Sequence, residues 1–184
     1  MKLNTESKTI KHFIFKSGEN HVQLLNDFAG HEIDLFFRYA GDQSLFKLAM
    51  IVDALTRQGY VDLSLTIPSF PGARQDRVCN SGEALSVKVY ADFINNMGFR
   101  KVSVFDPHSD VVAAVVNNCR VVKNHDFVAK VIQKHPSNYS LVSPDAGANK
   151  KIFDLAKHLG GPKVIRADKI RNVADGKIIG TEVY

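Results

Sequence analysis

No stretch of the 184-residue chain is apolar for more than six residues, the longest being Val111 to Val116. A bilayer crossing needs about 20 in succession, so no transmembrane helix is expected. Residues 1–11 also lack an apolar core ahead of a small-residue cleavage site, so no secretory signal is read there and a cytoplasmic location is expected. Cysteine is scarce: Cys79 and Cys119 stand far apart, in no C-x-x-C and beside no paired histidines. Free thiols are therefore expected rather than a disulfide or a zinc site, as suits a reducing compartment. Also absent are G-x-x-x-x-G-K-[ST] and G-x-G-x-x-G, which excludes the Walker and Rossmann routes to a nucleotide, and G-x-S-x-G, which makes a hydrolase unattractive. His12, His21, His31, His125, His135 and His158 show no H-x-x-x-H or similar spacing and read as surface or cap residues.

What is present is an ordinary globular composition, 45% hydrophobic and 23% charged, which excludes collagen-like and extensively disordered classes. The length corresponds to about 1.2 typical domains. Lys plus Arg at 24 against Asp plus Glu at 19 gives +5. The cations are scattered, and the densest short cluster is Lys150-Lys151, so nucleic acid is not expected as a partner. Mild positive charge suits a small phosphorylated ligand equally well.

From residue 31 onward, short apolar runs alternate with segments of helical period. Strands are expected at 33–37, 61–67, 101–105, 139–143 and 163–166. Helices are expected at 42–57, from Ser81-Gly82-Glu83 to a stop at Gly98, at 110–117, at 126–134, and through Ile152, Leu155 and Leu159. This alternation predicts an α/β protein with a mainly parallel sheet flanked by helices. Before it, Ile10 to Phe15 reads as a strand followed by a turn at Lys16-Ser17-Gly18. After Arg166 a polar loop is expected before the β-prone end. His135-Pro136-Ser137-Asn138 interrupts the pattern, so two domains are expected, 1–136 and 137–184, the second too small to bury a large core alone.

Ligands of parallel α/β sheets bind outside the carboxyl ends of the strands, so the segments just after each strand are the candidates. Arg74 and Arg77 in Pro68 to Arg77 can fork onto phosphate and Gln75 can hydrogen-bond a base, or the segment is a surface loop with local Arg–Asp pairs. Asp106 and His108, two apart, would share one side of an extended segment, as a metal or phosphate site requires; alternatively Asp-Pro makes a turn and Asp110 caps a helix. Asp145 in Ser143 to Gly147 stands ahead of a helix N-terminus, where capping alone would also explain it. Asp168, Lys169 and Arg171 fall in the expected polar loop.

In this order and spacing the segments resemble the ribose-phosphate pyrophosphokinase family, also called phosphoribosyl-pyrophosphate synthetases. Phe15-Lys-Ser-Gly-Glu19 is similar to the family's F-S-D-G-E. Ala73-Arg-Gln-Asp-Arg77 matches A-R-Q-D-R, Asp106-Pro-His-Ser-Asp110 resembles its D-L-H segment, Ser143-Pro-Asp-Ala-Gly147 matches S-P-D-A-G, and Asp168-Lys-Ile-Arg171 sits where D-K-R-R is found. The wording of the Asp106 segment and the short N-terminus look most like phage-type members.

The resemblance implies a phosphoribosyltransferase-like fold with the beginning of a second, similar domain. It implies transfer of diphosphate from Mg-ATP to the C1 hydroxyl of ribose 5-phosphate, giving phosphoribosyl pyrophosphate and AMP. Phe15, Ser17, Glu19, Arg74, Gln75, Asp76 and His108 would bind the nucleotide, and His108, Asp145 and Asp106 would hold magnesium. Lys169 would stabilise the transferring group and Arg171 would contact ribose 5-phosphate. A homo-oligomer is implied, because the family's Phe15–Glu19 loop completes a neighbouring subunit's nucleotide site. Ser17 replaces the loop's usual Asp or Asn, and Ile170 replaces a basic residue. The family's ribose-phosphate loop, an acidic pair followed by T-G-G-T, does not occur in the chain. The expectation is a fragment lacking full activity; the alternative is a catalytically silent synthetase-associated regulatory subunit.

Overall fold

Apolar runs of four or five residues make the central strands, and the periodic segments between them return the chain to the same edge each time. The structure, a computed structural model, describes residues 1–28, 32–134, 138–172 and 177–184, without the side chain of Arg171. His31, His135 and the expected domain boundary at 136/137 lie outside the described residues. Two compact units are present, Met1–Lys123 and Asn124–Tyr184.

The first unit carries β1 (Lys2–Asn4), β2 (Ile10–Ile14), β3 (Asn20–Leu24), β4 (Asp34–Phe36), α1 (Asp42–Arg57), β5 (Ser64–Ile67), α2 (Ser86–Asn95), β6 (Lys101–Phe105), α3 (Val111–Val115) and β7 (Cys119–Val122). Its main sheet runs β1-β4-β5-β6-β7, every neighbouring pair parallel. The centre of the sheet is buried residue after residue: Ser64 and Leu65 in β5, then Val102, Ser103 and Val104 in β6. That pattern belongs to strands covered on both faces. Helix α1 turns Leu45, Leu48, Ile51, Val52 and Leu55 into the core, and α2 contributes Val87, Ala91 and Ile94. Fully burying such a side chain contributes about 1.5–3 kcal/mol. Strands β2 and β3 form a separate antiparallel hairpin.

The second unit carries α4 (His125–Gln133), β8 (Leu141–Ser143), a 3-10 turn (Ala146–Ala148), α5 (Asn149–His158), β9 (Val164–Arg171) and β10 (Ile178–Val183). Its sheet runs β10-β9-β8, with β8 parallel and β10 antiparallel to β9. Helix α4 belongs here: the His125 and His158 rings lie 5.1 Å apart, His158 Nε2 is 3.2 Å from Asp126, and His125 Nε2 is 3.7 Å from Asp154.

Several elements differ from expectation. Helix α2 starts at Ser86 rather than Ser81, because Glu83 is drawn into a turn with Asn80. Strand β5 starts at Ser64, leaving Val61 74% exposed. The polar loop expected after Arg166 is instead the second half of β9: Ala167 to Arg171 pair with β10, and backbone pairing outweighs polar side chains that stand in water. Strands β1, β3 and β7 were not expected; each is held by a neighbour distant in sequence or by a hairpin rather than by a long apolar run. Among the described residues no helix is long and apolar enough to cross a membrane.

Candidate functional site

Because β4, β5 and β6 are adjacent and parallel, the segments that leave them emerge at one edge of the first unit's sheet. That edge gathers residues 37–41, 68–85 and 106–110, the position where ligands of such sheets bind.

The segment after β5 is pinned by its backbone. Gln75 N–H donates to the Gly72 carbonyl at 3.0 Å, and Val87 N–H, at the start of α2, donates to the Gln75 carbonyl at 3.3 Å. Gly72 has φ +69, and a Cβ there would meet Tyr90 Cδ2 at 2.5 Å and Ser86 C at 3.0 Å, so glycine is required both by conformation and by close approach. Beyond the buried Ala73, Arg74 is exposed and makes no ion pair among the described residues. The Gln75 amide is engaged within the loop, donating from Nε2 to the Arg77 carbonyl at 3.0 Å and to Glu83 at 3.4 Å. Glu83 also accepts from the N–H groups of Cys79 at 2.9 Å and Asn80 at 3.2 Å and from Asn80 Nδ2 at 2.7 Å. These donors, the Asn80 side chain foremost, hold its carboxyl below the usual carboxylate range.

Asp76 joins this loop to the next. Its side chain is only 9% exposed, accepts from Arg77 Nε at 3.2 Å, and lies near enough to Ser109 and His108 for both to act on its carboxyl. The Ser109 hydroxyl first, then the Arg77 guanidinium, with a smaller contribution from His108, lowers its pKa. The A-R-Q-D-R and D-P-H-S-D segments are thus brought together. The extended geometry expected for Asp106 and His108 does not occur: Asp106 has φ +39, which turns the chain straight after β6, and its N–H donates to the Val122 carbonyl at 2.8 Å. His108 is exposed. Asp110 precedes α3 without capping it through its side chain, and Ser109 Oγ accepts from Val111 N–H at 3.4 Å instead.

In the second unit the other two segments meet. Lys169 Nζ, on β9, donates to Asp145 Oδ2 at 3.0 Å, while Asp145 Oδ1 accepts from Ala148 N–H at 3.0 Å as the cap of the 3-10 turn. The lysine is the main cause that lowers the pKa of Asp145. Arg171 lies at the end of β9, and its side chain is outside the described atoms.

The Phe15–Glu19 segment is the tip of the β2–β3 hairpin, closed by Phe15 N–H to Glu19 carbonyl at 2.8 Å and by a bond from Ser17 Oγ to the Glu19 carboxylate. Phe15 is 49% exposed and packs edge-on to Phe13, with ring centroids 5.1 Å apart. Among the described residues, no three His, Cys, Asp or Glu side chains are gathered so as to hold a metal ion by themselves.

Glu83, Ser109, Tyr39, Asp42 and Tyr90 were not anticipated at this edge. For Glu83 a signal existed: Asn80 and Glu83 have capping-box spacing, but the reciprocal bonds close a turn instead of opening a helix. Tyr39 and Tyr90 stand 51 positions apart, and no local pattern announces their contact.

A family model described as the N-terminal domain of ribose phosphate pyrophosphokinase matches residues 1–98. A ribose-phosphate pyrophosphokinase of Porphyromonas gingivalis is 27% identical over 176 residues, covering 90% of this chain and 55% of the relative. One of Pasteurella multocida is 30% identical over 166 residues, covering 85% and 52%. The crystal structure of phosphoribosylpyrophosphate synthetase from Mycobacterium smegmatis superposes with a TM-score of 0.79 at 22% identity, over 95% of this chain and 58% of that one, a likeness of fold. The chain spans about half the length of the curated relatives it matches.

Proposed function

The chain belongs to the ribose-phosphate pyrophosphokinase family, and on that premise we propose that its first unit binds ATP with magnesium for transfer of diphosphate to the C1 hydroxyl of ribose 5-phosphate. The observation that carries the reading is Asp76. Its carboxyl pairs with Arg77 within its own loop and is acted on by Ser109 and His108 of the next, so the Arg74 and His108 loops lie together at the carboxyl edge of the sheet.

Arg74, exposed and without an ion pair among the described residues, supplies a guanidinium for the phosphates. Gln75 and Asp76 act by fixing the loop, and His108 stands at its rim. Phe15, Ser17 and Glu19 are assigned to a neighbouring subunit's nucleotide, a reading supported by the exposed aromatic ring at a hairpin tip. Magnesium is commonly held by one or two carboxylates with phosphate oxygens and water completing its shell, so Asp106 and His108 of the first unit are assigned to a metal that arrives with ATP, and in the second unit, taken by itself, the Asp145 carboxylate is a further candidate ligand. When bound, magnesium would neutralise charge on the phosphates. Lys169, already beside Asp145, supplies a cation for charge developing on the transferred group, and Arg171 is assigned to the ribose phosphate.

Equilibrium dialysis of the folded chain against ATP, with and without magnesium, tests the binding claim. Magnesium-dependent saturation is expected, and its absence would sink the reading. Phosphorus spectra after addition of ribose 5-phosphate then separate activity, seen as AMP and phosphoribosyl pyrophosphate, from the alternative of a silent regulatory subunit that binds ATP without releasing AMP.

A further inference from the structure

Three polar side chains behind the Arg74 loop have no part in the reading above. Tyr39 follows β4, Asp42 opens α1, and Tyr90 lies in the middle of α2. Both phenols donate to the same carboxylate oxygen, Asp42 Oδ1, each at 2.7 Å. The two hydroxyl oxygens are 3.2 Å apart and the rings meet edge to face at 5.8 Å. One carboxylate therefore ties the start of α1 to α2 and to the chain leaving β4. Gly41, at φ +101, makes the turn that delivers Asp42 to this point, and Ser44 Oγ accepts from Ala40 N–H at 3.0 Å to hold it.

The other side of Tyr90 faces the loop. A single added carbon at Gly72 would strike the Tyr90 ring, so ring and turn are in contact. The turn closes through Gln75 N–H to Gly72, and the Gln75 carbonyl is in turn held by Val87 N–H, three residues ahead of Tyr90 on the same helix. Helix α2 thus touches the Arg74 loop twice, once through its first turn and once through the Tyr90 ring. The angle of that ring is set by its hydroxyl on Asp42.

We propose that Tyr39, Asp42 and Tyr90 form a positioning cluster that fixes the Gly72–Gln75 turn and so sets the direction in which Arg74 is presented to an anionic ligand. The ligand part of this inference rests on the nucleotide-binding reading; the positioning part does not. The mechanism is orientation of a preformed loop, so removing it lowers ligand affinity without opening the core.

The Tyr39→Phe, Tyr90→Phe double variant keeps both rings and removes both hydroxyls; Asp42→Asn, which retains one acceptor oxygen, is the milder comparison. Amide hydrogen exchange at Gln75 and Val87 is measured beside exchange at Leu48 to Leu55 in α1, whose protection reports folding. Mg-ATP affinity is measured on the same samples. The expected result is exchange about tenfold faster at Gln75 and Val87 in the double variant, a smaller rise in Asp42→Asn, unchanged α1 protection, and ATP affinity about three- to tenfold weaker. Unchanged exchange at Gln75 and Val87 in a folded double variant overturns the cluster's role. Faster exchange with undiminished ATP affinity overturns its link to the ligand. If the parent chain binds no ATP while the variant's turn loosens, the nucleotide reading fails and the positioning role stands.

Discussion

Asp145 shows how one residue can satisfy two readings of a sequence. It caps the turn before α5, and the same carboxylate holds Lys169, so the bland expectation of a cap and the functional expectation of a charged partner meet in one side chain. The lysine lowers the carboxyl pKa, so the pair contributes stability above the ordinary value of 3.8 and loses that contribution as pH falls through the lowered one. Replacing Lys169 with Met is therefore expected to move the Asp145 titration upward, towards 3.8, as read from its carboxyl carbon shift. An unmoved titration would show that backbone donors alone hold it. Glu83 offers a second residue-scale expectation. Glu83→Ala removes the acceptor for Cys79, Asn80 and Gln75, so limited proteolysis between residues 78 and 85 should speed up about tenfold while the core melts nearly unchanged. Arg74 and Asp145 were legible because charged residues after strand ends stand out in a pattern; Tyr90 was not, because its partners are 48 and 51 positions away.

Among the elements, those with a strong period were legible nearly to the residue: α1 spans Asp42–Arg57 because its apolar positions recur at helical spacing and Gly41 starts it. The Gly72 turn is the element on which the site geometry most depends. Gly72→Ala meets both an unfavourable φ and the Tyr90 ring, and is expected to destabilise the first unit by about 1–3 kcal/mol. Adding Tyr90→Ala should relieve the clash with the ring but not the approach to the Ser86 backbone or the unfavourable φ, so calorimetry of single and double variants would give less than additive losses. Strand β9 was legible only in its first half, Val164 to Arg166. Its second half, Ala167 to Arg171, has charged residues at three of five positions with Asp168 and Lys169 side by side, so no strand alternation announces it, and the partner that makes it a strand, β10, comes later in the chain. Helix α4 was legible as a helix, but none of its residues is fully buried. Its amides should exchange well before those of α1.

At the scale of the whole molecule, strand–helix alternation specified a parallel sheet, and the five-stranded order of the first unit follows from it once β1 and β7 are added at the edges. The edge positions were the least legible because Lys2–Asn4 and Cys119–Val122 are short and only partly buried. The division into units after Lys123 places α4 with α5, and the His125–Asp154 and His158–Asp126 contacts between these helices are not displayed by sequence pattern alone. The site at the carboxyl edge depends on this parallel arrangement, since loops from antiparallel neighbours would emerge at opposite edges. Isothermal titration of Mg-ATP into the parent chain and into Arg74→Ala tests that claim most directly. A charge-assisted contact contributes about 1.5–3 kcal/mol, so saturable binding by the parent and an affinity about 10- to 100-fold weaker in the variant are predicted. Equal affinity in the two, or no binding by the folded parent, would contradict it.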